Sequence, residues 1–482
     1  MPPHSNPLLR AVYARGSAPA LVEGARTLSF AELDRRSAEA ATALRLRGLR
    51  RGDRVALVVR SSLDGAVCLL GCLRQGLVVV PVNPGFEAAE LVHVLDDSGA
   101  SLVVVDAPCP GLQGLDRRVP VVSTEGLCDE SSTAVRADDP DLEDDDLAML
   151  IYTSGTTGRA KGCAHTVGSL AAGVEALMEL WGMTADDVVL NALPWFHVHG
   201  LCVCLLGALS RGACTRVIPR FSPEAIADGA RAGGTVWMSV PTMIHRLLGA
   251  LDDDGRRALG ALRLVTCGSA ALSAEALRAF EAQTGVTILE RYGMSETLIT
   301  LSNRIAGERR PGAVGWPVPG TDMRVVDDEL WVDAPSVMRG YWNRPDADAE
   351  VFVRGDDGRR WFRTGDVVAL DPDGCVRIVG RASQDILKVG GHKLSTREIE
   401  EAIATHPAVR EVAVVGVPDA EWGERVCAVV ALHPGSALTL GDLQAHVKLA
   451  EVKRPRALRV VEALPRNALG KVMKAALQAD RG

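Results

Sequence analysis

The sequence predicts an α/β protein with a large N-terminal domain and a smaller α+β domain at its C-terminus. Helical and strand patterns alternate over residues 31–105 and return over 188–290, as in parallel sheets whose strands are joined by helices. Shorter strand patterns with frequent turns over 322–379 indicate a more β-rich region. A new set of patterns begins after this region, so we place the domains at 1–380 and 381–482. A chain of 482 residues is long enough for two to four domains.

The first third contains the clearest alternation. Ser29 is a suitable N-cap for a helix over 31–48, and Gly48 is a suitable residue to end it. Cys68 and Cys72 are one helical turn apart, as expected of small core residues in a second helix. Short apolar runs between the helical segments indicate buried strands. In this third we expect strands at 55–59, 77–82 and 102–105, and helices at 66–75 and 87–98.

The segment 107–146 differs from its surroundings. It contains prolines, glycines and an acidic run over 138–146, which together predict a solvated loop. A metal site or a site for a basic partner is the alternative for the acidic run. Farther along, Cys202 and Cys204 alternate as in a strand.

The remaining elements follow the same two patterns. A hinge near 381–385 and a glycine loop over 389–392 open the C-terminal domain. We expect strands at 147–151, 188–192, 235–240, 262–267, 286–290, 412–417 and 425–432, and helices at 241–251, 273–284, 395–404 and 440–450.

Composition and charge limit the classes of function. The chain is 47% apolar and 24% charged, which is typical of a soluble globular protein. A net charge of −8 disfavours a general nucleic-acid-binding surface, which is usually basic. We expect no signal peptide, because residues 1–16 lack an apolar core, and no membrane span, because no apolar run reaches ~18 residues. The 11 cysteines lack metal-ligand spacing and predict free thiols in a reducing cytoplasm, without a zinc site.

A loop suited to a polyphosphate follows the strand at 147–151. Backbone N–H groups, hydroxyls and an ammonium group can all hold phosphate oxygens, which indicates a nucleotide triphosphate. The common phosphate loop ends in Gly-Lys-Ser/Thr, whereas here the lysine stands between Ala160 and Gly162. A Ser/Thr/Gly-rich surface turn is the alternative. The loop residues are Thr153, Ser154, Gly155, Thr156, Thr157, Gly158 and Lys161.

Further segments follow this loop in a fixed order, at 194–200, 268–271, 291–297, 362–366, 380–391 and 465–471. Together they resemble the acyl-adenylate-forming superfamily, which includes the acyl-CoA ligases, the luciferases and the adenylation domains of peptide synthetases. The resemblance covers residues 28–473 in the superfamily's motif order. It implies that the C-terminal domain is mobile and that ATP is cleaved between its α- and β-phosphates.

The resemblance also implies the ATP-site residues. The loop, with Lys161, would hold the β- and γ-phosphates. Tyr292 would pack on adenine, and Glu296 would bind Mg²⁺ through an oxygen ligand of the type that this ion prefers. Ser295 stands where the superfamily has threonine and keeps the hydroxyl.

Other segments complete the nucleotide site by the same resemblance. Gly268 and Ser269 belong to the segment that lines the adenine and acyl sites. Asp366 would hold the ribose hydroxyls, and Arg381 would contact the nucleotide.

The C-terminal domain carries the remaining expected roles. Gly390 and Gly391 match the loop that lines the pantetheine tunnel for CoA, and glycines let a backbone pass close to a thin substrate arm. Lys471 matches the catalytic lysine, which stabilises the negative charge that develops as the carboxylate attacks the α-phosphate. The hinge residue is either Ser383, where the superfamily has Asp or Lys, or Asp385.

Two arginines and a histidine point to the acid substrate. His197 matches the superfamily's gate beside the acyl site, and its pairing with His199 as a metal site lacks a third ligand. Arg291 and Arg246 are expected to face the acyl pocket, where buried guanidinium groups need partners. A second carboxylate on the substrate would pair with them. Protein acids such as Glu290 are the alternative partners.

The segments 196–201, 268–272 and 290–294 are similar to those of malonate–CoA ligases. That resemblance implies a cytosolic ligase that converts malonate or methylmalonate to its CoA thioester, with ATP, Mg²⁺ and CoA. Two alternatives keep the same adenylation chemistry: CoA ligation of another short or aryl acid, and loading of a carrier protein. A non-catalytic nucleotide-binding protein is a further alternative, and it conflicts with the presence of Lys161, Glu296 and Lys471 together.

Overall fold

The computed structural model describes residues 6–106, 109–112, 119–129, 140–153, 159–382, 385–389, 392–419, 422–466 and 472–479. Contacts divide the chain into two compact units. The first is Met1–Asp322 with Asp333–Phe362, and the second is Met323–Val332 with Arg363–Gly482. The second unit thus includes strands that the sequence assigned to the N-terminal domain, and the hinge near 381–385 remains a prediction.

The described residues alternate between helices and strands, as the sequence predicts for an α/β protein. The α-helices are α1 Arg10–Ala14, α2 Phe30–Leu46, α3 Leu63–Arg74, α4 Ala88–Ser98, α5 Thr124–Asp129, α6 Val167–Leu180, α7 Gly207–Ser210, α8 Pro223–Arg231, α9 Pro241–Leu248, α10 Asp253–Leu259, α11 Ala274–Thr284, α12 Pro345–Val351, α13 Thr396–Ala404, α14 Leu440–His446 and α15 Lys474–Ala479.

The first unit contains most of the strands. They are β1 Pro19–Glu23, β2 Arg26–Ser29, β3 Arg54–Val58, β4 Val78–Pro81, β5 Leu102–Val105, β6 Val121–Ser123, β7 Leu147–Thr153, β8 Lys161–Thr166, β9 Val188–Asn191, β10 Cys214–Val217, β11 Val236–Ser239, β12 Leu264–Cys267, β13 Leu289–Met294, β14 Leu298–Ser302, β15 Ala313–Pro317, β18 Gly340–Tyr341 and β19 Phe352–Arg354. The strands β16 Asp322–Val326, β17 Glu329–Asp333 and β20 Arg360–Leu370 lie at the boundary of the two units. In the second unit lie β21 Val376–Arg381, β22 Ile386–Val389, β23 His392–Ser395, β24 Val409–Asp419, β25 Gly423–Leu432 and β26 Ala457–Val460.

Two sheets form the framework of the first unit. One has the order β18-β8-β7-β4-β3-β5-β6, and the other runs β15-β14-β13-β12-β11-β9-β10-β1-β2. The strands from β7 to β6 and from β13 to β1 are mainly parallel, which confirms the parallel pairing expected from the alternation. The second sheet changes from parallel to antiparallel at β13, because β14 follows it directly as a hairpin. This change of direction places the end of β13 at the centre of the site described below.

The second unit is a smaller α+β structure, as expected. Its sheet has the order β23-β22-β25-β24, with β26 parallel to β25, and α13 packs against this sheet. A second strand pair joins β20 to β21 in antiparallel register, with Asp366 opposite Arg381. This register brings two of the expected nucleotide contacts together.

Several local expectations can be compared with the structure. Ser29 caps α2 in a reciprocal capping box with Glu32, as the helix-start pattern indicates. The predicted loop at 107–146 contains β6 and α5, so that prediction was wrong for 121–129. Within its acidic run, Asp146 forms an ion pair with Arg51. No helix in the described part of the chain is long and apolar enough to cross a bilayer.

The strand assignment of Cys202 and Cys204 was wrong. Both lie in a π-helix, His199–Leu206, that continues into α7 and is buried along its whole length. An apolar segment buried on every side gives no periodicity, so sequence pattern alone does not separate strand from helix here. π-Helical turns are rare and occur often at functional sites.

Candidate functional site

The centre of the candidate site is the Arg291 side chain, in the middle of β13. It is 3% exposed, and burial lowers its pKa to about 10, so that it stays charged near neutral pH. No described carboxylate forms an ion pair with it. Its neighbour Glu290 accepts the backbone N–H of Gly312 at 2.9 Å instead. Arg291 is therefore a buried cation without a protein anion among the described residues.

A histidine holds this arginine from the π-helix. Nη2 of Arg291 lies 2.6 Å from Nε2 and 2.7 Å from Nδ1 of His199, so a neutral imidazole must be the acceptor. Burial and the charge of Arg291 keep the pKa of His199 well below its usual range, which favours that neutral form. From the sequence, His199 was expected only as half of a possible metal pair, and its contact with Arg291 spans 92 positions of the chain.

His197 lies beside this pair. Burial lowers its pKa to about 4, and its ring packs edge-on against Phe196 at 4.5 Å between centroids. Two buried nitrogens, Nε2 of His197 and Nε of Arg291, have no hydrogen-bond partner among the described residues. A buried polar atom without a partner is costly, and a polar ligand beside these two nitrogens would remove that cost.

Backbone geometry makes room for the arginine. A Cβ added at Gly268 would stand 2.4 Å from Nη1 of Arg291 and 2.8 Å from the carbonyl oxygen of the same residue. No side chain fits there while β13 keeps its position. The next residue, Ser269, has φ of 69°, a conformation that non-glycine residues adopt uncommonly and that often marks a functional site.

Arg246 does not share this buried environment. It is on α9, it is exposed, and its guanidinium lies 5.1 Å from the centroid of the Phe221 ring. The expectation of two buried guanidinium groups was therefore wrong for Arg246. The sequence placed the residue on the correct helix, but which face of that helix is exposed depends on how the helix packs.

A second cluster lies around the loop that follows β13. Glu296 is buried, and one of its carboxylate oxygens accepts the hydroxyl of Tyr341 at 2.9 Å. The ammonium of Lys161 lies 4.8 Å from the centroid of the Tyr341 ring. Tyr341 thus contacts both the expected phosphate-binding lysine and the expected Mg²⁺ ligand. A carboxylate oxygen of this kind fits Mg²⁺.

The backbone of this loop is fixed by a buried histidine. Nε2 of His165, on β8, donates to the carbonyl oxygen of Ser295 at 2.6 Å, and its Nδ1 is 3.3 Å from the Ser169 hydroxyl. Burial lowers the pKa of His165 to about 4, so it stays neutral. His165 was not expected in the site from the sequence, although a histidine inside an apolar strand signals a side chain that needs buried partners.

The remaining first-unit residues lie on the same loops and strand ends. Tyr292 is half-buried on β13, and Gly293 is required there because an added Cβ would stand 1.9 Å from the carbonyl oxygen of Leu298. Thr153 ends β7 and pairs across the hairpin with Lys161. The loop residues between them, Ser154, Gly155, Thr156, Thr157 and Gly158, lie outside the described residues.

In the second unit, Asp366 and Arg381 contact each other. Nε of Arg381 lies 3.4 Å from a carboxylate oxygen of Asp366, and its Nη1 donates to the carbonyl of Thr364. Asp366 is 7% exposed, and Gly365 before it has φ of 71°, as a sharp turn requires. Gly390, Gly391, Lys471 and the possible hinge residue Ser383 lie outside the described residues.

A metal site built from protein side chains alone finds no support. No group of three or more His, Cys, Asp or Glu side chains in the described ranges could hold an ion. A cleft of about 270 Å³ opens at the carboxyl ends of β3, β4 and β9 and reaches Phe196. Ligands of open α/β sheets bind at such strand ends.

Comparisons with known proteins agree with this geometry. The AMP-binding enzyme family matches residues 8–342, and the AMP-binding enzyme C-terminal domain matches residues 398–471. The mitochondrial malonate–CoA ligase ACSF3 of Mus musculus is 36% identical over 532 residues, which cover 98% of this chain and 90% of the mouse protein.

Solved structures are similar along the whole chain. ATP-bound MatB from Rhodopseudomonas palustris has a TM-score of 0.91 and 36% identity, with 98% of each chain covered. A malonyl-CoA ligase in a ternary product complex with methylmalonyl-CoA and AMP has a TM-score of 0.71 and 40% identity, covering 96% of this chain and 100% of that one.

Proposed function

The chain belongs to the AMP-binding enzyme family, and we propose that it is an ATP-dependent malonate–CoA ligase that also accepts methylmalonate. In the first step a malonate carboxylate oxygen attacks the α-phosphorus of ATP, and pyrophosphate leaves. In the second step the CoA thiol, as it loses its proton, attacks the carbonyl carbon, and AMP leaves. The substrates named for the relatives support this proposal.

The observation that carries the proposed substrate is the buried cation of Arg291, which has no carboxylate partner among the described residues. A guanidinium group matches a carboxylate in shape and charge, and pairing removes much of the cost of its burial. The neutral imidazole of His199 orients the fork without adding charge. A monocarboxylic acid would leave this cation without an anion, so the pocket favours an acid with a second carboxylate.

Arg246 has a smaller proposed part. Its exposed guanidinium lies over the Phe221 ring, and in this proposal it adds positive charge near the acyl pocket. We propose that it contacts the distal carboxylate more weakly than Arg291 does, because solvent screens its charge.

The residues of the ATP site divide their tasks. Tyr292 packs on adenine, Gly268 and Ser269 line the adenine and acyl sites, and Lys161 holds the leaving pyrophosphate. Glu296 would hold Mg²⁺, which neutralises phosphate charge when bound. Tyr341 supports the proposal for both charged residues, since it contacts each of them.

The second unit supplies the remaining groups. Asp366 holds the ribose hydroxyls, and Arg381 fixes that carboxylate while it faces the nucleotide. Lys471 stabilises the charge that develops at the α-phosphate, and Gly390 and Gly391 line the path of the pantetheine arm. We propose that this unit moves between the two steps, as mobile elements do in many enzymes.

The thiols support a reducing compartment, and we propose the cytoplasm. The structure describes ten cysteines, all free, of which nine are buried. Cysteines of this kind behave as small apolar core residues.

A panel of acids tests the proposed substrate. The purified protein with ATP and Mg²⁺ should release AMP most rapidly with malonate and next most rapidly with methylmalonate. AMP release should require CoA, because the thiol displaces AMP in the second step. Butyrate, which lacks the second carboxylate, should be at least about 100-fold poorer in kcat/KM. Equal rates with butyrate and malonate would contradict the proposal.

Lys471→Ala tests the proposed chemistry. This variant should lose formation of the acyl-adenylate, measured as pyrophosphate release, and should still convert supplied malonyl-AMP to the thioester. Survival of both half-reactions would show that Lys471 is not the adenylation lysine.

A further inference from the structure

A partly buried ion cluster in the second unit surrounds Lys474, a residue to which neither the sequence nor the comparisons assign a role. Its ammonium lies 2.6 Å from Oδ1 of Asp385, 2.7 Å from Oε1 of Glu400 and 2.7 Å from the hydroxyl of Thr396. An ammonium has three donors, and all three are used here. The lysine side chain is 11% exposed, so the cluster is largely shielded from water.

Each partner of Lys474 is fixed by a second contact. Glu400, on α13, accepts the backbone N–H of Val414 at 2.7 Å, which ties it to β24. Burial raises the pKa of Glu400, and the adjacent Lys474 opposes that shift. Asp385 accepts the backbone N–H of Arg381 at 3.0 Å, so the carboxylate also closes the turn at the expected hinge. The lysine is therefore held by groups with little freedom to move.

The position of Lys474 in the chain gives the cluster its significance. Arg466 and Val472 pair in an antiparallel bridge, and the N–H of Met473 donates to the carbonyl of Pro465 at 2.8 Å. These contacts fix both chain ends that enclose residues 467–471. Lys474 begins α15 directly beyond them, three residues after Lys471. Three residues span at most roughly 10 Å, so the chain itself keeps Lys471 within that distance of Lys474.

The cluster also reaches the nucleotide residues of the same unit. Asp385 contacts Lys474 through one carboxylate oxygen and the Arg381 backbone through the other. The Arg381 side chain in turn pairs with Asp366. A continuous set of contacts therefore joins the start of α15 to the carboxylate proposed to hold the ribose.

We propose that Lys474 is a positioning residue for the adenylation step: it fixes the start of α15 against Asp385 and Glu400, so that Lys471 and the Arg381–Asp366 pair keep one relative geometry. The inference rests on the proposed role of Lys471. A buried ion cluster contributes little net stability, and its better attested effect is to specify one arrangement. Lys474 touches no substrate, and its effect on catalysis is exerted through Lys471.

The chain offers a matched control, a second lysine whose glutamate partner lies on the same helix, α13. Lys453 contacts Glu398 of α13 with both carboxylate oxygens at 2.7 Å, but this pair is exposed and has no link to residues 467–471. Lys474→Met and Lys453→Met thus make the same change at two glutamates two positions apart. Exposed ion pairs contribute little, so the control should behave as the parent protein does.

The test measures the two half-reactions of the full chain separately. Lys474→Met should lower kcat for malonate-dependent pyrophosphate release about 100-fold, with KM for ATP nearly unchanged, because a displacement of about 1 Å has an effect of this size. Conversion of supplied malonyl-AMP to the thioester should stay within about threefold of the parent rate, which also shows that the variant is folded. Lys474→Arg, which keeps a cation, should recover at least about tenfold of the loss.

Three results overturn the inference: an equal loss in both half-reactions, no loss in adenylation, or the same loss in Lys453→Met. Lys471→Ala, measured in parallel, separates this failure from failure of the proposed function. If Lys471→Ala abolishes adenylation while Lys474→Met retains it, only the inference fails. If Lys471→Ala retains adenylation, the proposed chemistry itself fails.

Discussion

The first unit buries a cation and the second unit partly buries one, and the two cations have opposite surroundings. Arg291 in the first unit has a neutral histidine beside it and no described carboxylate, whereas Lys474 in the second unit contacts two carboxylates and a hydroxyl. A buried charge without an ion partner is costly and persists where function requires it. A buried charge with several partners fixes geometry. The contrast therefore separates a group that awaits a ligand from one that organises the protein.

The largest expected effect is on Arg291. Arg291→Met should lower kcat/KM for malonate about 1000-fold, because the distal carboxylate would be desolvated without a partner. The free energy of unfolding should stay the same or rise, since the variant no longer buries an unpaired charge. Steady-state kinetics and denaturant unfolding measure the two quantities. A similar loss of activity on butyrate would remove Arg291 from the distal-carboxylate site.

Lys474→Met should give the opposite pattern in stability. It removes the cation beside the partly buried carboxylates of Asp385 and Glu400, which should cost about 3 kcal/mol of unfolding free energy at pH 8. Without the lysine, partial burial favours the protonated form of these carboxylates in the folded state, so the variant regains stability as the pH falls. The deficit relative to the parent should therefore shrink at pH 5, as measured by urea titration at both values. A constant deficit would show that the two carboxylates are not coupled to this lysine.

Acid should weaken the first unit through its neutral histidines. Burial lowers the pKa of His165 and His197 to about 4, below the ordinary value, so the unfolded chain takes up protons first as the pH falls. Their contribution to stability is complete above the unfolded pKa of about 6.5 and is lost as the pH falls toward the folded pKa. Between pH 7 and pH 5 each should cost about 2 kcal/mol of unfolding free energy. His165→Gln should remove the contribution of one histidine, so the loss of unfolding free energy between pH 7 and pH 5 should be smaller by about 2 kcal/mol. An unchanged loss would show that His165 does not have a lowered pKa in the folded protein.

The smallest effect is expected at Arg246. Its exposed contact with Phe221 contributes about 1 kcal/mol or less, so Arg246→Ala should change the unfolding free energy by no more than that. KM for malonate should rise about tenfold, and kcat/KM for butyrate should stay constant. A loss on malonate as large as that of Arg291→Met would show that Arg246 turns into the pocket when the acid binds.

Sequence reasoning was most successful where local pattern decides structure. The alternation of helices and strands, the cap at Ser29 and the smaller C-terminal unit all follow from periodicity and turn residues, and the structure confirms them. The short strand and helix at 121–129 were not predicted, because the composition of this segment is that of a loop. The π-helix at His199–Leu206 was not predicted, because uniform burial removes any periodic signal.

The contacts of the site were harder to predict than its residues. Arg291 was expected in the acyl pocket, but its partner His199 lies 92 positions away and only the fold brings them together. The exposed face of α9, which carries Arg246, depends on how that helix packs. Lys474 follows the motif residue Lys471 by three positions. No feature of the neighbouring sequence distinguishes it from a solvated lysine near the end of the chain. In each case the missing information is tertiary.

The buried cysteines allow the local opening of each unit to be measured separately. A buried cysteine reacts with a thiol reagent only when the structure around it opens, so its rate of labelling reports a local opening equilibrium. Cys204 and Cys267 are buried in the first unit, and Cys375 and Cys427 are buried in the second. Each unit thus contains its own buried cysteines. Their labelling rates can be followed in the protein without substitutions as substrates are added one at a time.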